Sequence, residues 1–319
     1  MDTILVTGCA GFIGSHVCEL LLAKGFKVIG IDNFDPFYNR TLKEQNLNNF
    51  LHHAAFDFYE YDICTDLDRV PEADIKAVIH LAAKAGVRPS LQNPTSYIHT
   101  NIVGTQQIQD FMLKRGITKL VFASSSSVYG NNKKVPFAES DVVDYPISPY
   151  AFTKKAGELM NYTFHHLHQV DIINLRFFTV YGPRQRPDLA INKFIQLIKY
   201  NKTLTLFGDG STARDYTYID DTVKGIYAAL QYCMQESNVY AIVNLGNKTP
   251  VTLNELVDEI YRVLNKQKNV LFEEMQPGDV DITFADITVA KNLLNYTPTV
   301  SIEEGLSKYV SWLDDNQNR

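Results

Sequence analysis

The chain has 319 residues, of which 45% are hydrophobic and 21% charged, and a formal net charge of −6. That balance excludes a disordered or fibrous polypeptide and predicts about two globular domains. The acidic sum and the lack of a long Lys/Arg run argue against nucleic acid as a partner, and no apolar run reaches the ~20 residues of a membrane span.

Met1-Asp2-Thr3 has no basic n-region, so no signal peptide is expected. Thr3–Thr7 reads as a short buried strand. Gly14–Lys24 has helical spacing through Val17, Leu20 and Leu21, and Gly25 ends it. Lys27–Asp32, Phe56–Tyr61, Ala77–Leu81, Lys119–Ser124 and Asp171–Phe177 read as further buried strands, with long helical patterns at Thr95–Arg115 and Pro149–His168. Apolar strands alternating with helices predict an α/β fold, a Rossmann-type doubly wound parallel sheet. After Phe178 the rhythm changes. The loop Tyr181–Asp188 carries two prolines. Short strands (Thr203–Phe207, Val239–Leu245) then mix with helices (Asp221–Cys233, Thr252–Leu264, Ile302–Asp314). This predicts a sheet domain of residues 1–178 plus 219–245 and a smaller mixed α/β substrate domain of 179–218 plus 246–319, with the ligand in the cleft between them. The four cysteines, Cys9, Cys18, Cys64 and Cys233, are scattered without a CxxC, which fits a reducing cytoplasm with neither disulfide nor metal.

Gly8-Cys9-Ala10-Gly11-Phe12-Ile13-Gly14 follows the first strand and opens the first helix. Gly8 permits the tight turn, Gly11 lets backbone approach a pyrophosphate, and Gly14 lets the helix pack on the strand. Phosphates then sit at the positive helix N-terminus, by Phe12 and Ile13. Cys9 in this loop reads as a small packing residue. Asp32 closes the second strand, where a carboxylate accepts bonds from a ribose 2′-hydroxyl and repels a 2′-phosphate, which selects NAD over NADP. Asp62 and Ile63 follow the third strand, where an adenine ring could rest; a cap on the next turn is an equal reading of Asp62. Leu81-Ala82-Ala83 ends the fourth strand with small residues that let a dinucleotide pass close to the backbone.

The fifth strand runs into Ser124-Ser125-Ser126-Ser127-Val128-Tyr129-Gly130, at the sheet edge that faces the crevice. Ser148 and Pro149 then suit the N-cap and first position of a helix that puts Tyr150 and Lys154 on one face. An ordinary Tyr, with a pKa near ~10, is a poor base at neutral pH. A Lys ammonium and a positive nicotinamide beside it would favour the phenolate. Tyr150 could then take a proton from a substrate hydroxyl while NAD takes the hydride from the same carbon, with a serine orienting the oxygen.

These segments, with TGCAGFIGSH at Thr7–His16, IDNF at Ile31–Phe34, HLAA at His80–Ala83, YAFTK at Tyr150–Lys154, LRFFTVYGP at Leu175–Pro183 and RDYTYIDD at Arg214–Asp221, resemble the extended short-chain dehydrogenase/reductases. Within them the sequence is most similar to the nucleotide-sugar 4-epimerases. The resemblance covers nearly the whole chain. It implies Tyr150 as catalytic base, Lys154 as anchor of the nicotinamide ribose, and Ser125 as the hydroxyl partner. It implies Asn33, Ser124 and Asn101 near the cofactor and Arg214 on the nucleotide diphosphate, where a salt bridge to Asp215 or Asp220 is the alternative. Dehydratases and decarboxylases of the superfamily carry an acid where this chain has Ser127, and none occurs in 124–127, which favours simple epimerisation.

The stretch Ala85–Ser90 and the loop Tyr181–Asp188 resemble the UDP-glucuronate 4-epimerases, as does Gln276-Pro277-Gly278-Asp279. Thr179 stands where UDP-glucose epimerases usually have asparagine. Thr179, Ser127 and Arg186 are the expected holders of a hexuronate carboxylate, with Arg186 offering a bidentate fork, and Ser126 is a further expected substrate contact. Arg184 is a further cation of that loop, Arg88 could meet a phosphate, and Asp279 completes the expected substrate set. The alternatives are a UDP-glucose or UDP-N-acetylglucosamine 4-epimerase, a UDP-glucuronate decarboxylase, and a non-catalytic NAD-binding protein. The two long helical patterns resemble those that form the family's dimer bundle, which implies a homodimer, with Ile102, Phe111, Met160 and Phe164 as its apolar residues; burial against the protein's own sheet is the alternative.

Overall fold

The computed structural model describes residues 1–274 and 282–317. The chain opens with β1 (Thr3–Thr7), α1 (Phe12–Ala23), β2 (Lys27–Ile31), α2 (Arg40–Leu47), β3 (Phe56–Tyr59), β4 (Ile75–His80), α3 (Val87–Gln92), α4 (Pro94–Ile98), α5 (Gly104–Lys114), β5 (Lys119–Ser125), α6 (Pro149–His168) and β6 (Asp171–Phe177). It continues with β7 (Thr179–Tyr181), α7 (Ala190–Lys199), β8 (Leu204–Phe207), β9 (Ala213–Tyr218), α8 (Ile219–Gln235), β10 (Tyr240–Leu245), β11 (Pro250–Thr252), α9 (Leu253–Val263), β12 (Val270–Glu273), β13 (Ile282–Thr283), α10 (Thr288–Leu294) and α11 (Ile302–Gln317).

Seven parallel strands form the main sheet in the order β10-β6-β5-β4-β1-β2-β3. Alternation along β1 shows why helices cover both faces. Ile4 and Val6 pack with Val17 and Leu21 of α1 and Ile226 and Leu230 of α8. Leu5 between them packs with Ile108 and Phe111 of α5 and Phe164 of α6. Each such side chain contributes roughly 1.5–3 kcal/mol by leaving water. The strand order reverses beside β1, and the carboxyl ends of β1, β4 and β5 there open the crevice in which such folds take ligands. A second sheet joins β11, β9 and β13 with β7 beside β9, and β8 pairs with β12.

Two expectations change in detail. The single helix expected over Thr95–Arg115 is three pieces: α4, capped by the Asn93 side chain, a π-helical turn at His99–Val103, and α5. The wider turn carries buried Asn101 at its centre. Neither α2 nor α7 was anticipated, because α2 (RTLKEQNL) is too polar to show an apolar stripe and α7 follows directly on a Pro-rich loop.

Among the described residues no helix is long and apolar enough to cross a membrane.

Candidate active site

The glycine loop is shaped by close backbone approach. Gly8 sits at φ +73°, and a Cβ there would meet the Ala82 nitrogen at 2.8 Å. A Cβ on Gly14 would meet the Gly8 carbonyl oxygen at 2.0 Å. Gly11 is the N-cap of α1 and brings no capping side chain, so the first-turn N–H groups are oriented for an anion. Cys9 is buried in packing, as expected. Asp32 is 8% exposed. Its Oδ2 accepts from Ala10 N at 3.1 Å and its Oδ1 from Phe34 N at 2.9 Å. Burial raises its pKa, and nearby Lys43 opposes the rise. These groups fit a dinucleotide: a glycine cradle, a helix N-terminus, and a carboxylate fixed at the end of β2.

Asn33 is exposed and donates to Asp62 Oδ2 at 2.8 Å. Asp62 Oδ1 accepts from Cys64 N at 2.7 Å, so the local-turn reading of Asp62 is realised alongside that bridge. Ile63 differs from expectation. Its side chain is core, in contact range of Gly104.

Thr7 Oγ1 accepts from Leu81 N and Ala82 N, which fixes the path of half-buried Leu81-Ala82-Ala83. Asn101 holds the next residue on both sides. Its Oδ1 accepts from Lys84 N at 2.8 Å, and its Nδ2 donates to Lys84 O and to Thr153 Oγ1 at 2.9 Å each. Asn101 therefore ties the β4 loop to α6 next to Lys154. The Lys84 ammonium reaches back across the end of β1 to Asp35 at 2.8 Å.

Ser148 caps α6 and Pro149 occupies its first turn, as expected. Lys154 is buried and donates to Ala123 O at 2.7 Å. A neutral carbonyl does not offset the desolvation, and the ammonium pKa is pushed down to about 7. Tyr150 is half-buried, hydrogen-bonded with Ser125, and edge-on to Tyr97 at 6.3 Å between centroids. Burial raises its phenol, while Ser125 and Arg186 lower it.

The four serines divide. Ser124 turns away from the crevice and donates to Glu158 Oε1 at 2.6 Å. Glu158 is in turn held by both arms of Arg176 at 2.8 Å, all of it buried. That hydroxyl anchors β5 in the core, contrary to the expectation that the whole run faces ligand. Ser125 accepts from Ser127 N, which leaves its own proton for Tyr150. Ser126 is half-buried, and the Ser127 hydroxyl is buried with no hydrogen-bond partner, a condition that favours a bound polar group.

Thr179 is exposed at the start of β7. Arg186 lies close enough to Gly86 that a Cβ there would meet its Nη2 at 3.8 Å. It therefore brings the 182–189 loop to the β4 side of the crevice. Arg184 does not join it: it pairs with Glu19 of α1 at 2.7 Å. Arg88 is exposed on α3. Arg214 is half-buried on β9, where its Nη1 donates to Ala213 O at 2.9 Å. A salt bridge to Asp215 does not form, because Asp215 is buried and accepts from Asn247 N, Lys248 N, Ala285 N and Thr217 Oγ1. Asp279 and the preceding Gln276-Pro277-Gly278 lie outside the described residues.

Sequence reasoning missed Asp188, Phe37, Tyr97, Lys84 and Asp35. Lys84 directly follows the HLAA segment, and that adjacency was the available signal. The others reach the site through loop geometry that leaves no periodicity.

The sequence model of the family described as GDP-mannose 4,6 dehydratase matches residues 5–309. The chain is 46% identical to a UDP-glucuronate 4-epimerase of Thermodesulfobacterium geofontis, over 99% of this chain and 97% of that protein. The crystal structure of UDP-glucuronic acid 4-epimerase from Bacillus cereus, in complex with UDP-glucuronic acid and NAD, superposes with a TM-score of 0.92 at 38% identity, covering 98% of this chain and 99% of that one. A UDP-glucose 4-epimerase from Thermotoga maritima with UDP-glucose gives a TM-score of 0.89 at 32% identity, with 99% of each chain covered. The chain belongs to this family of extended short-chain dehydrogenase/reductases, on its nucleotide-sugar 4-epimerase branch.

Proposed function

We propose that this protein is an NAD-dependent UDP-glucuronate 4-epimerase that interconverts UDP-glucuronate and UDP-galacturonate. The observation that carries the reading is the approach of Arg186 to Gly86, next to the Ala85 carbonyl that takes the hydroxyl of Tyr97, whose ring is edge-on to Tyr150, with the partnerless Ser127 hydroxyl on the short turn that Ser125 caps. That gives one pocket both a proton-transfer centre and a cation suited to a carboxylate.

Gly8, Gly11, Gly14, Asp32, Asn33, Asp62 and the backbone of Leu81–Ala83 would hold NAD, with Lys154 on the nicotinamide ribose. NAD, when bound, accepts and returns the hydride of sugar carbon 4. Tyr150 removes the proton from the 4-hydroxyl, and Ser125 hydrogen-bonds the oxygen as it becomes a carbonyl. The 4-keto sugar turns over in the pocket, and Tyr150 gives the proton back. Arg214 and Arg88 would meet the diphosphate. Arg186, Thr179, Ser126 and Ser127 would fix the carboxylate. A 4-keto uronate is a β-keto acid, and it loses CO₂ when the bond to its carboxylate aligns with the carbonyl π system. Fixing the carboxylate opposes that alignment. Like the absence of an acid at Ser127, this favours epimerisation over elimination or decarboxylation.

The test is incubation with UDP-glucuronate and no added cofactor, followed by chromatography for UDP-galacturonate. Conversion supports the reading. Conversion of UDP-glucose or its N-acetyl relative alone moves the sugar, and release of CO₂ with a pentose product moves the reaction to decarboxylation. A reducing cytoplasm is the compartment that suits four scattered cysteines without a CxxC, and it is part of this proposal.

A further inference from the structure

The Arg186 guanidinium is restrained from two directions. Its Nε donates to Asp188 Oδ1 at 2.9 Å and its Nη2 to Asp188 Oδ2 at 2.8 Å. Its central carbon, Cζ, lies over the Phe37 ring, 5.1 Å from the centroid. A guanidinium has two edges that can meet a carboxylate side by side: one formed by Nε and Nη2, the other by Nη1 and Nη2. Asp188 occupies the first. A substrate carboxylate can therefore meet only the second, so the bidentate fork expected from the sequence is half engaged within the protein.

We infer that Asp188, with Phe37 beneath the guanidinium, is a positioning residue that sets which edge of Arg186 faces the sugar, and so helps set the preference for a carboxylate at sugar carbon 6. The inference rests on the uronate reading above and adds the residues that orient its cation.

Three features support it. Arg186 and Asp188 are close neighbours in one loop, and the pair is mostly buried on the arginine side, with side-chain exposures of 15% and 36%. The ion pair is thus shielded enough to hold geometry, which a fully solvated pair would not do. Next, Asp188 offsets part of the arginine charge. The pocket is then less attractive to an arbitrary anion and depends on two well-aimed N–H groups. Finally, Phe37 sits in the loop between β2 and α2, and Asp35 Oδ1 accepts from Phe37 N at 3.1 Å while its Oδ2 takes Lys84. The floor under Arg186 is therefore built from the dinucleotide side of the crevice. Tyr38 and Tyr97 lie in the same field, their phenols shifted in opposite senses by Arg186 and Asp188.

An arginine held in one plane holds the carboxylate in one plane. Without Asp188 the guanidinium can swivel, and the carbon 5–carbon 6 bond can reach the alignment in which it breaks. Its electron pair would then form the enolate of the 4-ketone, CO₂ would leave, and the hydride would not be returned. Reduced cofactor would remain on the enzyme.

The experiment compares wild type, Asp188→Asn, Asp188→Glu and Phe37→Leu as NAD-loaded proteins. It measures binding of UDP-glucuronate and UDP-glucose by calorimetry, kcat and KM for UDP-glucuronate, and accumulation of CO₂ and reduced cofactor. Loss of one charge-assisted bond in Asp188→Asn is expected to lower kcat/KM for UDP-glucuronate about tenfold while UDP-glucose binding stays within about twofold. CO₂ and reduced cofactor should rise together, Asp188→Glu should recover part of the loss, and Phe37→Leu should shift the same ratio in the same direction. A wild type that prefers UDP-glucuronate, with variants whose preference and product partition are unchanged, overturns this inference alone. A wild type indifferent between the two sugars overturns the uronate reading and this inference with it. An Asp188→Asn protein weakened equally toward both sugars shows a merely structural aspartate and also overturns it.

Discussion

His80 has both ring nitrogens committed inside the main sheet. Thr7 Oγ1 already accepts from Leu81 N and Ala82 N, so its own proton goes to His80 Nδ1 at 2.7 Å. The other ring nitrogen, Nε2, then carries the proton that reaches Thr105 Oγ1 at 3.2 Å, and Thr105 donates onward to Asn101 O. Burial, and then the charge of Lys154, lower the His80 pKa from 6.5 to about 3, and a proton on Nδ1 would also break the first link. Because the folded value lies below the unfolded one, the folded protein binds fewer protons in that window. Stability is therefore expected to fall as pH drops from about 6.5 towards 3. His16, lowered to about 4 by burial and Arg184, adds in the same direction. Denaturant titrations across that range should show a shallower acid limb in His80→Gln than in wild type; an unchanged slope refutes the assignment. The same scale shows what a sequence can say about a site. Spacing alone puts Tyr150 and Lys154 on one helix face, whereas Ser125 was singled out by the resemblance. That the side chains of Ser124 and Ile63 turn into the core was not legible, because only the Glu158–Arg176 pair and the approach to Gly104 decide it. Asp188 was invisible because its partner is fixed by the course of a loop.

Among the elements, the loop after β2 and the loop after β4 are the ones that close on each other. In the order β4-β1-β2 these strands flank β1, so the Asp35–Lys84 pair crosses above the carboxyl end of β1 and the N-terminus of α1. Lys43 of α2 grips the same residue from the other side, donating to Asp35 O at 2.8 Å. A pyrophosphate bound at the glycine loop would lie beneath this crossing. Since an epimerase regains its oxidised cofactor in every cycle, nothing in the chemistry requires release. Asp35→Asn keeps the turn to Phe37 N and removes the charge. For a partly exposed pair worth about 1 kcal/mol or less, the variant should lose NAD up to about fivefold faster during gel filtration, read from nucleotide absorbance and cofactor fluorescence. Equal retention would count against the crossing. Most elements of the main sheet were legible, since buried parallel strands are continuous apolar runs. The division of the Thr95–Arg115 helix was not, because a π-turn changes hydrogen-bond pairing without altering the apolar pattern.

At the scale of the molecule, the expected self-association needs different residues from those read in the sequence. Phe111 and Phe164 are buried in the protein's own core, and Ile102 and Met160 are half-buried. Of the apolar side chains that α6 leaves outside, Phe152, Leu159 and Tyr162, which are 45%, 57% and 55% exposed, fall on one helical stripe. Ile98 and Val103, beside the π-turn, are exposed as well. An apolar helix face of this kind suits an isologous dimer, as its two-fold symmetry pairs like with like. Light scattering of wild type at micromolar concentration should give twice the mass of the chain, and Phe152→Glu with Leu159→Glu should give the monomer. A monomeric wild type would falsify the dimer. The net charge says little about the ligand at this scale, for a chain of −6 still gathers Lys154, Arg186, Lys84 and an uncapped helix N-terminus around one crevice.

The lobes also cross. The chain leaves the main sheet after β6, builds β7, β8 and β9, and returns through α8 and β10 to complete the sheet edge before leaving again. Asn244 of β10 fastens the crossing, accepting from Tyr129 OH at 2.7 Å and donating to Phe137 O and Asp286 O. No single junction in the sequence therefore separates the main sheet from the smaller ones. Recombination between two such genes at one breakpoint would graft half a sheet onto half a lobe. New sugar preferences in this architecture arise more readily by point changes in the loops after β4, β5 and β7 than by shuffling of whole parts.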